Sequence, residues 1–342
     1  MTLFCVDLYL NLFNSKILLK ILIYMQLQNL FCTPIVVNGN HIQIAKFNSS
    51  FEDNQVQTND VFSKKWLATA EFKDVHLLYK QQYSWFMDLY GFEDEVDLTF
   101  YLKERKIIID TGCGLGYKSY WFSKLAPDSI VIGIDLSDAI YYAIERYKEC
   151  KNLYFLKADI SNTFLRENSC DFVVCDQVIM HTENPDLTFK HLNYITKIGR
   201  EIACYFYRKK ALPRELVDDY FRLATHNIQD CDMWLLADQL TELGRVLSDL
   251  NVKFISPEIP LLGIKGGEYD IQRFIYWNFL KCFWNPDWGR DLSKVTNYDW
   301  YSPSNARRYD KIEIDNLLAE LTLSISYWHE EEACFSGRFR KN

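Results

Sequence analysis

Three glycines at alternate positions, directly after a run of β-branched residues, constrain this chain more than any other feature. In Ile107-Ile-Ile-Asp110-Thr-Gly112-Cys113-Gly114-Leu-Gly116 the isoleucines read as a strand buried on both faces, as in a parallel sheet. An acid closes the strand, and residues 117–126 read as the helix that follows. A strand that turns through glycines into a helix N-terminus lets backbone approach a ligand closely. The spacing then selects among ligands. A dinucleotide fingerprint needs G-x-G-x-x-G, and the position of its third glycine, 117, holds Tyr.

From residue 106 onward the pattern alternates strand and helix, which implies a parallel sheet with helices on both faces. Strands are expected at 106–110, 130–135, 153–156, 171–175 and 201–207, with helices at 138–147 and 186–195 between them. The alternation then stops. Residues 212–296 carry long helical patterns, with one further strand at most, at 252–256. Twelve aromatics, four of them tryptophans, fall within 269–309, a density that marks either the core of a lid or a binding surface. A helix at 310–321 and two strands at 322–328 and 333–339 close the chain, and adjacent strands there make an antiparallel hairpin.

The fold class is therefore α/β, with four parts. Residues 1–61 form a partly irregular N-terminal extension. Residues 62–211 form a helical cover and a ligand-binding sheet core. Residues 212–300 form a helical, aromatic-rich lid, and residues 301–342 complete the core. Apolar stretches in residues 1–24 are interrupted by Asp7, Asn11, Lys16 and Lys20. No run approaches the roughly 18 residues a membrane span needs, and no signal-peptide pattern is present. Those residues read as a peripheral membrane contact or as an extension ahead of a start at Met25.

Composition narrows the function. Forty-six acidic residues against 38 basic ones leave a net charge of -8, the wrong sign for a nucleic-acid surface as the main feature. The ten cysteines show no C-x-x-C and no zinc-finger spacing. Reduced, buried thiols in a cytoplasmic protein are expected, with no metal site.

In an open α/β sheet, ligands bind beyond the carboxyl ends of the strands. Four such ends carry suitable groups. Asp110 and the glycines close the first. Asp135, with Leu136 beside it, closes the second, where a carboxylate can accept both hydroxyls of a ribose. Asp159 follows the third, with the apolar Ile160 beside it. Asp176-Gln177 closes the fourth.

This D-x-G-x-G-x-G stretch resembles motif I of the class I S-adenosylmethionine-dependent methyltransferases. Ile134-Asp135-Leu-Ser137 and Asp176-Gln-Val-Ile-Met-His181-Thr-Glu-Asn-Pro185 are similar to that family's later motifs. Asn297-Tyr-Asp-Trp300-Tyr301-Ser-Pro303 and Arg308, together with Phe62 and Trp66, look like a bacterial small-molecule and glycan-biosynthesis group within it. The chain departs from that group at Lys65, Tyr117 and Met180, where Gln, Arg and a second His are usual. The resemblance implies a Rossmann-like seven-stranded sheet and S-adenosylmethionine as cofactor, held by Asp110, Gly112, Cys113, Gly114, Gly116, Asp135, Leu136, Asp159, Ile160 and Gln177. It implies methyl transfer to a small-molecule or carrier-linked sugar acceptor. A quinone-like ring methylated at carbon, or a non-catalytic cofactor-binding partner subunit, are the alternatives.

The sulfonium of that cofactor already activates the methyl group, so the protein must align an acceptor, exclude water and, where needed, remove a proton. His181 is placed for the last task, or else orients its loop. Trp300, Tyr301 and Arg308 are candidates for acceptor binding.

Overall fold

The computed structural model describes residues 18, 21–44, 51–72, 75–225 and 228–342. The expectations for residues 1–24 lie mostly outside these. Among the described residues no helix is long and apolar enough to cross a membrane.

A helix over residues 21–30 (α1) leads into a hairpin of β1 (Ile35–Asn38) and β2 (His41–Ile44). Three helices follow: α2 (Asp53–Ala70), α3 (Val75–Tyr90) and α4 (Glu95–Lys103). The alternating core then runs β3 (Ile107–Thr111), α5 (Tyr117–Leu125), β4 (Ile130–Asp135), α6 (Ala139–Arg146), β5 (Leu153–Lys157), β6 (Cys170–Cys175), α7 (Pro185–Ile195) and β7 (Thr196–Tyr207). The lid comprises α8 (Leu212–Thr225), α9 (Asp230–Asp249), the small hairpin β8 (Lys253–Ser256) and β9 (Gly267–Asp270), α10 (Ile271–Asn278) and α11 (Gly289–Tyr301). Helix α12 (Lys311–Glu320) and the hairpin β10 (Leu323–Glu330) and β11 (Cys334–Lys341) end the chain.

One sheet holds nine of these strands in the order β1-β2-β5-β4-β3-β6-β7-β11-β10. Its centre, β2-β5-β4-β3-β6-β7, is parallel throughout, and β11 joins β7 antiparallel. The β-branched run at 107–109 explains why β3 sits in the middle. Side chains alternate across a strand, and both faces of this one are covered: Ile107 and Ile109 enter one apolar core, Ile108 the other.

The expected sheet of seven strands is corrected to nine. The two extra strands are β1 and β2, within the stretch expected to be a partly irregular extension. Residues 39 and 40 form a two-residue loop between them, with Gly39 at φ +61, and Gly opening such a loop is a strong hairpin signal. The backbone N–H of Phe155 donates to the carbonyl of Asn40 (2.8 Å), fixing the hairpin to the sheet. The covering helix α2 also starts earlier than expected, at Asp53 rather than Phe62.

Candidate active site

The glycine turn is built by steric necessity. Gly112, Gly114 and Gly116 all have positive φ (71, 51 and 75). Each is also packed on the side where a side chain would begin. A Cβ on Gly112 would lie 2.3 Å from Val178, one on Gly114 2.8 Å from Trp66, and one on Gly116 2.8 Å from Ala143. Gly114 donates its N–H to Asp135 Oδ2 (2.7 Å), which ties the turn to the neighbouring strand end.

The four acid-bearing strand ends converge on one cavity of about 500 Å³. Gly112, Cys113, Asp135, Leu136, Asp159, Ile160, Asp176 and Gln177 line it from the sheet side. Phe62, Lys65 and Trp66 of α2 roof it, and the lid closes the far wall with Tyr276, Trp277, Lys281, Phe283, Trp288 and Trp300. That size and mixed lining suit a small-molecule site. Of the predicted residues, Asp110, Gly114 and Gly116 do not line the cavity. They hold the turn that does. Asp110 is buried and accepts from Ser119 Oγ (2.5 Å), and burial pushes its carboxyl up to about 6.

Asp135 Oδ1 accepts from both the N–H and the hydroxyl of Ser137 (2.8 and 2.6 Å), and burial holds its pKa above the usual carboxylate range. Asp159 is fixed by Ser161, whose N–H donates to Oδ1 (2.8 Å) and whose hydroxyl donates to Oδ2 (2.6 Å). Gln177 adopts φ +64. Only a few per cent of non-glycine residues have positive φ, and such residues cluster where a ligand is clamped. Its side-chain amide donates to Gln82 Oε1 of α3 (2.8 Å).

His181 is buried at the cavity wall, with its ring 4.7 Å from that of Phe62. Its Nδ1 lies 2.7 Å from the carbonyl oxygen of Asn305. A carbonyl only accepts, so Nδ1 carries the proton and Nε2 keeps its lone pair. Burial lowers the pKa to about 4. The imidazole is therefore neutral at physiological pH.

The aromatic question resolves residue by residue. Trp300 lines the cavity, with Nε1 anchored on Asp218 Oδ2 (2.9 Å). Tyr301 does not. Its hydroxyl accepts from the Lys281 N–H inside the lid (3.0 Å). Tyr298 stacks on Trp234 at 3.8 Å as lid core. Arg308 also lies away from the cavity lining, paired with Glu215 (2.8 Å) and Asp219 in a strut beneath α8. Spacing alone could not separate these fates, because they depend on which way α11 faces.

Several lining residues were not anticipated. Lys118, two residues past the glycine turn, forms a buried ion pair with Asp176, and that carboxylate also accepts from Tyr90 (2.9 Å). Lys65 bridges to Asp299 of α11 (2.7 Å) while lying over the Trp66 ring (4.4 Å). Lys281 interrupts the apolar run Phe279-Leu-Lys-Cys-Phe-Trp284, a pattern that could have marked it.

The chain has matches among known proteins. A family model described as a methyltransferase domain matches residues 102–249, from the end of α4 through the glycine turn and all four acid-bearing strand ends into α9. That segment has the features of a methyltransferase domain. The chain is 27% identical over 113 residues to an uncharacterized methyltransferase of Schizosaccharomyces pombe, covering 30% of this chain and 41% of that protein. It is 26% identical over 136 residues to phosphoethanolamine N-methyltransferase 1 of Zea mays, covering 39% of this chain and 27% of the relative. The chain thus spans less than half the length of these curated relatives. Among solved structures it is similar to the magnesium protoporphyrin IX methyltransferase of Synechocystis with bound SAH, at 14% identity and a TM-score of 0.43, covering 84% of this chain and 98% of that one.

Proposed function

We propose that this protein is an S-adenosylmethionine-dependent methyltransferase whose acceptor is a small molecule or a carrier-linked sugar. One observation carries the reading: a tightly packed glycine turn and three further strand ends, each bearing a carboxylate, open on one cavity. The residues present fit the cofactor. Asp135 keeps acceptor capacity for ribose hydroxyls beyond its bonds to Gly114 and Ser137. Asp159 and Ile160 suit an adenine edge and face, Leu136 the other side of the nucleoside, and Gly112, Cys113 and Gln177 the methionine end. When bound, S-adenosylmethionine supplies an electrophilic methyl group.

The rest falls to the chain itself. Helix α2 and the lid cover the cavity opposite the strand ends, and Trp300 offers an acceptor a flat apolar face. His181 Nε2 accepts a hydrogen bond from the hydroxyl or amine to be methylated and so orients its lone pair. With its pKa lowered to about 4, the ring holds such a proton weakly, so alignment outweighs deprotonation in this role.

Calorimetry with S-adenosylhomocysteine checks the cofactor reading. Binding should weaken at least about tenfold in Asp135→Ala, the loss expected for removing hydrogen bonds to a charged group. No binding by the wild-type chain, or equal binding by the variant, would refute it.

A further inference from the structure

We infer that the acceptor is an oxyanion, a carboxylate or a phosphate ester, and that Lys281 and Arg273 of the lid receive its charged group. The inference rests on the methyltransferase reading for the word acceptor, but its geometry stands apart from the cofactor end.

Both side chains line the cavity. Lys281 is only 5% exposed, and its Nζ sits 4.4 Å from the centre of the Trp300 ring. Among the described residues, no carboxylate or carbonyl accepts a hydrogen bond from that Nζ, and none from the Arg273 guanidinium. Arg273 lies instead over the rings of Tyr276 (5.4 Å) and Phe283 (5.7 Å). The other cations of this wall are matched. Lys65 is held by Asp299 (2.7 Å) and Arg214 by Asp218 (2.8 Å). Lys210 donates to the carbonyls of Arg208, Glu332 and Ala333 (2.8, 2.7 and 3.1 Å). Two cations are left over, on the same wall of the same cavity.

Burying an ammonium without an acceptor is expensive, and proteins usually pair or neutralise such groups. Here burial lowers the Lys281 amine to about 7, with Arg214 and Lys65 acting in the same direction and Asp299 and Asp218 opposing them. An oxyanion seated between Lys281 and Arg273 would provide the missing acceptors and the missing charge, and would draw a proton onto the lysine. Arginine can bind such a group through two parallel N–H donors while lysine serves as a point charge. The aromatic rings beneath both cations fix their positions in advance.

The test is isothermal titration calorimetry of the full chain with sulfate and with acetate, with and without saturating S-adenosylhomocysteine. Sulfate stands for a phosphate ester and acetate for a carboxylate, and neither titrates near neutral pH. Runs at slightly alkaline pH in two buffers of different ionisation enthalpy count the protons taken up. At least one anion should bind the wild type with proton uptake. Lys281→Met and Arg273→Met should each weaken it at least about tenfold. Lys281→Arg should keep binding but lose the uptake, because arginine is always protonated. That conservative variant decides the matter even where the methionine variants fail to fold.

Binding of neither anion, or binding that all three variants leave unchanged, overturns the inference. A wild-type chain that binds S-adenosylhomocysteine but neither anion overturns it while sparing the methyltransferase reading. One that binds an anion but no S-adenosylhomocysteine removes the methyltransferase reading and supports the anion site alone.

Discussion

His181 shows how a single residue's surroundings decide what it can do. Its pKa falls from 6.5 to about 4 on burial. Between those values the unfolded chain binds a proton that the native chain does not, so stability from the neutral ring is complete above pH 6.5 and is lost as the pH falls toward 4. For a group this deeply buried the effect amounts to about 3 kcal/mol at most. Asp110 acts in the opposite sense, since its value rises from 3.8 to about 6 and the native chain is the one that gains a proton in that window. Urea unfolding over a pH series should therefore show a shallower acid loss in His181→Gln than in wild type, with the Asp110 contribution common to both. In the same site, Gly114→Ala should cost about 1–3 kcal/mol, because a non-glycine residue is strained at that φ and its Cβ would collide with Trp66. A drop in melting temperature measures it. The meeting of the glycine turn and the strand-end acids was legible in the sequence because their positions follow from local spacing along a parallel sheet. Lys281, Arg273 and Asp299 were not. Their meaning arises only when α10, α11 and the segment between them fold over the strand ends.

Elements were readable where their pattern was strong and their neighbours were close in sequence. Strands β3 to β7 and the closing hairpin fall within a few residues of their expected positions. The β1–β2 hairpin was lost because its strands are four residues long and their partner, β5, lies more than a hundred residues away. Polar composition across 36–61 masked it. Its anchoring is nevertheless apolar: Ile42 is fully buried in the core on one face of the sheet. Ile42→Ala should cost about 2–5 kcal/mol, as expected for truncating a buried aliphatic side chain. It should also speed exchange of the Phe155 amide, which donates to Asn40. An unaltered melting temperature would show that the hairpin is peripheral to the core.

On the scale of the whole molecule, the cavity exists only because two halves meet. The sheet supplies its floor, and α2 with the lid supplies its roof. The Lys65–Asp299 pair is a direct tie between the two roofing parts, with side chains 10% and 22% exposed. Removing one partner leaves the other half-buried and unpaired. In Lys65→Met, hydrogen exchange across 289–301 should rise while exchange across β3 and β4 stays as in wild type. Equal protection in both proteins would mean that the aromatic packing of Tyr298 and Trp234 holds the roof without this pair.

The entrance and exit of the lid carry a last consequence. The chain leaves β7 at Tyr207 and comes back at Tyr309, and the two are stitched side by side. Tyr309 N–H donates to the Tyr207 carbonyl (2.7 Å) and Lys209 N–H to the Tyr309 carbonyl (2.9 Å). Roughly a hundred residues are thus strung between two points one hydrogen bond apart. Such a cassette can change length and lining with little demand on the strands that carry it. The lid wall of the cavity is then free to diverge while the wall built from the strand ends stays fixed.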